Sequence, residues 1–174
     1  MRPILTRRIY DGIAASEAKL QPQPIESFNW STHDVLPPPH PRWDEAEILE
    51  QIANDSNPVV ARNRPAYTVA WLRRFRSQLP ITLSGLHIND ISMLHLPAEC
   101  FIEYQLGAQA AATERFVACA AYGDGGPWYI PTAEAYDQGG YAVSVAWCDP
   151  QIDPLLSNGI RNLLTANETT KTTD

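Results

Sequence analysis

A chain of 174 residues that is 44% hydrophobic and 19% charged has the material for one ordinary core, and is not the charge-rich, apolar-poor kind that stays unfolded. Thirteen Lys and Arg against 20 Asp and Glu give a net charge of −7, and no basic stripe interleaved with aromatics is present, which argues against a nucleic-acid partner. No apolar run approaches the ~20 residues of a membrane span, and the opening MRPILTRRIYDG lacks the continuous apolar core of a secretory signal, so localisation is not legible.

In chain order, the spacing of Ile4, Ile9, Ile13 and Ala14 predicts a helix over 4–20, ended by the Gln-Pro-Gln-Pro stretch at 21–24. Phe28, Trp30 and Thr32 alternate with polar residues as a half-buried strand does. Pro37, Pro38, Pro39 and Pro41 read as a stiff linker, with a PxxP-type ligand for a partner as the alternative. Asp44 is placed to cap a helix over 45–54. Val69, Trp71, Leu72 and Phe75 give a helical stripe within 59–78, closed by Pro80. On this helix Arg73, Arg74 and Arg76 form the densest basic cluster, which reads most simply as a solvated face.

Two apolar runs, 81–88 and 91–96, flank the turn-forming Asn89-Asp90 and predict an antiparallel hairpin. Pro97 suits the start of a helix over 98–111 with Phe101, Ile102 and Leu106 on its apolar face, which puts Glu99 in the first turn. A strand over 114–122, a Gly-rich loop, a short strand over 128–130 and a brief helix through Tyr136 follow. After Gly139-Gly140, residues 141–147 alternate as a strand, and 152–164 form a last amphipathic helix. The polar residues 165–174 read as a disordered tail behind a domain over 1–164. The fold class expected is α/β: a mixed sheet with packed helices, part of a larger layered catalytic domain.

Cys100, Cys119 and Cys148 are widely spaced among apolar neighbours and read as buried small hydrophobes, with no CxxC pair for a metal or redox site. His33, His40, His87 and His95 read as packed or hydrogen-bonded. Glu99 admits two readings: a carboxylate favoured by a helix dipole, or a metal ligand at a strand's end. The GDGG loop lacks the lysine and spacing of a phosphate loop, and reads as a tight turn bringing Tyr129 beside Glu99. Tyr129, Tyr136 and Tyr141 are aromatics among which composition does not choose.

Three segments in order, LHLPAECFIEYQL, AAYGDGGPWYIPTAEAY and GGYAVSV, resemble the C-terminal half of the catalytic domain of the neutral/alkaline (non-lysosomal) ceramidase family, especially its bacterial ceramidase-like members. The resemblance runs from about Trp71 to Leu164. It implies a zinc ion held by two histidines of an N-terminal half, by the glutamate falling on Glu99 and by the tyrosine falling on Tyr129, the first residue of YIPT. A second active-site tyrosine falls on Tyr141. Ala98 departs from the family, which usually has glycine there, and the two histidine ligands belong to a segment this chain does not contain.

The activity implied is amide hydrolysis, in which zinc polarises the carbonyl and lowers the pKa of bound water toward ~7 while Tyr141 donates a hydrogen bond to the oxyanion. The function expected is therefore the C-terminal part of a zinc-dependent amidase, inactive without its N-terminal half, acting on ceramide or another amide in lipid metabolism. The alternative is a non-catalytic chain of the same fold that binds a partner or ligand.

Overall fold

The computed structural model describes residues 2–123 and 126–166. Along the chain lie α1 (Arg2–Glu17), β1 (Phe28–Val35), α2 (Glu45–Ala53), α3 (Val59–Asn63), α4 (Pro65–Arg76), β2 (Ile81–Ile88), β3 (Ile91–Pro97), β4 (Glu99–Cys100), α5 (Ile102–Ala111), β5 (Phe116–Gly123), β6 (Tyr129–Ile130), α6 (Ala133–Gln138), α7 (Tyr141–Val145) and α8 (Ile152–Thr165). The class is α/β, as the element pattern predicts. A four-stranded mixed sheet runs β1-β2-β3-β5, and β4 with β6 forms a separate two-stranded sheet. β1, β2 and β3 are antiparallel neighbours, whereas β3 and β5 are parallel and joined through α5, the crossover that a parallel pair requires.

One face of the sheet carries the core. Val35, Leu83, Leu94, Leu96 and Val117 point into a cluster with Ile152, Leu156, Ile160 and Leu163 of α8. The helix lies close against β1: a Cβ at Gly159 would stand 2.7 Å from Leu83 and 2.9 Å from His33. α5 packs on β5 and α8 beside it. A smaller cluster, Ile48, Val69 and Leu72, joins α2 to α4, and Asp44 caps α2 by accepting from the Glu47 amide at 3.0 Å.

The other face is bare. Register aligns Phe28, Ile88, Ile91 and Phe116 in one row and Trp30, Leu86, Met93 and Ala118 in the next. Phe28 is 67% exposed and Trp30 57%, so the residues expected to be the covered side of the first strand lie on the open side. Alternation of apolar with polar residues shows that a strand has two faces without showing which one is covered.

Other expectations are corrected. The helix expected over 59–78 is broken at Arg64-Pro65 into α3 and α4, because proline has no N–H to continue the ladder. The proline run is no free linker: Pro37 is fully buried, Pro39 pairs with Cys148 in a β-bridge, and the Pro38 carbonyl accepts from the Asp149 amide at 2.8 Å. The strand expected over 141–147 is the short helix α7. The expected tail at 165–174 lies outside the described residues except for Thr165, which ends α8, and Ala166.

Candidate active site

Glu99 is on a strand. Ala98 takes φ +57°, the left-handed region, which turns the chain sharply after Pro97 and lets Glu99 and Cys100 run extended beside β6 before α5 begins at Ile102. The expected helical first turn is thereby ruled out, and the helix-dipole reading of Glu99 with it. β4 and β6 are parallel, with Glu99 opposite Tyr129 and Cys100 opposite Ile130. The Glu99 amide donates to the Trp128 carbonyl at 2.7 Å and the Phe101 amide to the Ile130 carbonyl at 3.1 Å, which fixes the register.

Around this ladder the backbone is strained. Ala98, Tyr122 and Trp128 all have positive φ, at 57°, 66° and 61°, and the Tyr122 amide donates to the Ala98 carbonyl at 2.7 Å. Such conformations cost of order 1–3 kcal/mol each and gather where surrounding structure over-determines them. Two glycines make the close approach possible. A Cβ at Gly126 would lie 3.1 Å from both the amide nitrogen and Cβ of Ala98, and one at Gly123 would strike the His95 ring. Asp124 and Gly125 of the GDGG loop lie outside the described residues.

The side chains of Glu99, Tyr129 and Tyr141 meet at one hollow of 440 Å³, joined by Arg64, Tyr122 and Trp128. The Tyr129 and Tyr141 rings stand edge to face, 5.8 Å between centroids, Tyr141 reaching in from the first turn of α7. The phenol of Tyr129 is held above its usual pKa of 10.0, first by its hydrogen bond to the Glu99 carboxylate, then by desolvation and by the charge of Glu99. The Arg64 guanidinium lies over the Trp128 ring at 5.4 Å, a cation at the mouth of the hollow.

Arg64, Tyr122 and Trp128 are missing from the sequence-level site. Their only sequence signals are the aromatic flanks of the Gly-rich loop and the Arg64-Pro65 helix break. The histidines lie elsewhere. The His95 ring lies close against Gly123, and His33 sits beneath α8 against Gly159. His87 is buried, its Nδ1 2.9 Å from the Ser92 hydroxyl, its pKa lowered by desolvation and by Arg115. His40 stacks on Tyr136 and accepts from the Arg42 amide at 3.1 Å.

Glu99 and Tyr129 offer two oxygen donors to a metal. Among the described residues no group of three His, Cys, Asp or Glu could hold an ion, whereas zinc sites use three protein ligands or more. The described residues alone do not fit a zinc ion.

No family model and no curated protein matches this chain. Two solved structures match part of it: a ceramidase complexed with C2, with a TM-score of 0.44, and the neutral ceramidase from Pseudomonas aeruginosa, with a TM-score of 0.42. Each is 17% identical over 55% of this chain and 16% of its own. The likeness is partial, and the chain spans well under a fifth of either protein's length. Among the described residues no helix is long and apolar enough to cross a membrane.

Proposed function

We propose that this chain is the C-terminal part of a zinc-dependent amide hydrolase of neutral ceramidase type, inactive without an N-terminal half that supplies two histidine ligands. The reading rests on one observation above all: Glu99 and Tyr129 stand opposite each other on adjacent strands, with Tyr141 edge-on to Tyr129 at the same hollow. In this reading Glu99 and Tyr129 are the two metal ligands from this chain. Tyr141, exposed and free to reach a substrate, donates a hydrogen bond to the oxyanion formed on the amide carbonyl, a contribution of a few kcal/mol. The substrate class is an amide, with ceramide the member that gives the family its name.

The bare sheet face is the surface on which the N-terminal half packs. Its three exposed aromatics, Phe28, Trp30 and Phe116, present on the order of 300–400 Å², the size of the largest apolar patch on a typical monomer, which is often functional. Tyr122, on the same strand as Phe116, lines the hollow, so what covers the sheet also reaches the site.

A second reading, a non-catalytic chain that binds a partner or ligand, is favoured by the incomplete ligand set. One experiment separates them. The chain is mixed with an N-terminal half carrying two histidines and with zinc, and N-acyl amide hydrolysis is followed. Activity that appears on mixing and is lost in Glu99→Ala supports the hydrolase; activity indifferent to Glu99→Ala removes the assignment.

A further inference from the structure

Trp128 walls a second hollow besides the candidate active site. Its volume is 550 Å³, in the range of small-molecule sites, and its sides are Tyr67, Trp71 and Trp147 with Trp128, edged by Arg73 and Arg74 of α4. No acidic side chain lines it. Two of its lining residues carry a buried N–H donor without a partner: the indole of Trp71, a residue only 6% exposed, and Nε of Arg74. Buried donors are nearly always paired, and two unpaired on neighbouring lining residues ask for acceptor oxygens.

Charge points the same way. Arg73 is paired with Glu45 at 2.7 Å, and Arg76 with the same carboxylate. Arg74 has no carboxylate partner among the described residues, and its Nη2 donates to the Pro80 carbonyl. One unneutralised guanidinium therefore stands beside four aromatic rings in a chain of net charge −7. Flat aromatic walls suit an apolar body, and a guanidinium with an indole N–H suits an oxyanion at its end. We propose that this hollow binds an anionic amphiphile, a carboxylate or phosphate carried on an apolar chain. Both orphan donors are closed over in the free chain, so the oxyanion reaches them after a rotamer shift of the half-buried Arg74 side chain.

Tryptophan fluorescence reads the event directly, since three of the walls are indoles. The chain is titrated with octanoate, octyl phosphate and the uncharged octanamide. The expected result is saturable binding of an octyl anion at least tenfold tighter than octanamide, with the preference lost in Arg74→Gln and weakened in Trp71→Phe, which keeps an aromatic ring, though a smaller one, and removes the N–H. Tighter octyl phosphate identifies a phosphate-bearing ligand, and tighter octanoate a carboxylate. Met93→Lys, on the bare sheet face, leaves binding unchanged. Circular dichroism of each variant checks folding; should Arg74→Gln not fold, Arg74→Lys, which keeps the charge and loses the Nε–H, takes its place with a smaller loss expected. Equal binding of octanoate and octanamide, or binding abolished by Met93→Lys, overturns the proposal.

Discussion

Tyr129 faces Glu99 across the parallel β4–β6 pair, and the carboxylate keeps the phenol protonated above its ordinary range. Because hydrogen bonding to Glu99 is the largest cause of the shift, Glu99→Ala moves the Tyr129 titration to lower pH. The ring carbon signal of labelled tyrosine, assigned by Tyr129→Phe, reads the midpoint. A midpoint that stays put in Glu99→Ala would show the two side chains to be independent.

Ala98 carries a Cβ in a conformation suited to glycine, at φ +57°. The left-handed region costs an L-residue about 1–2 kcal/mol, while glycine loses about 0.5–1 kcal/mol through the freer unfolded chain. Ala98→Gly is therefore neutral to stabilising by up to about 1.5 kcal/mol in urea unfolding. Gly126→Ala has the opposite effect, since its Cβ meets the Ala98 amide at 3.1 Å, and overpacking of this kind costs typically 1–3 kcal/mol. A stable Gly126→Ala would mean that the turn is looser than described.

The bare sheet face predicts strong binding of a hydrophobic dye by the isolated chain. Trp30 and Met93 sit in one row across β1 to β3, both at least half exposed. Replacing both with lysine is expected to remove most of the dye fluorescence without lowering the melting temperature, because neither side chain belongs to the core. A large loss of stability would instead show that the face is covered within the monomer.

The thiols set an alkaline limit. Burial pushes Cys100 up to about 12, with Cys119 adding to it, and Cys119 itself up to about 11, against 9.0 for an open thiol; Cys148 is raised too, again chiefly by desolvation. A folded pKa above the unfolded one means stability that is intact below pH 9 and falls as pH rises through 11 to 12. Tyr104 and Tyr136, raised by burial from 10.0, add to the loss above pH 10. The melting temperature is expected to hold to pH 9 and then drop, less steeply in Cys100→Ala. An identical alkaline drop after Cys100, Cys119 and Cys148 are all made alanine would exclude the thiols as its origin.

Local chemistry made some of this legible. Asn89-Asp90 between two apolar runs predicts the β2–β3 hairpin, and the 3.6-residue stripe of the last helix predicts α8 nearly to the residue. Glu99 defeats local reasoning because Pro97 reads as a helix start. Its strand depends on the left-handed turn at Ala98 and on pairing with Tyr129, thirty residues on. The YAVSV segment alternates like a strand, yet closes into the short helix α7. Arg64, Tyr122 and Trp128 reach the hollow from α3–α4, β5 and the loop before β6, a convergence that only the tertiary fold creates.

Zinc bound per chain, measured at equilibrium with and without a histidine-bearing N-terminal half, tests the central claim most directly. Two oxygen donors make weak or no binding by the isolated chain the expected result, with one tightly held zinc per complex after mixing, lost in Glu99→Ala and in Tyr129→Phe. A tight, stoichiometric site in the isolated chain, or a complex whose zinc is indifferent to both substitutions, would contradict the account.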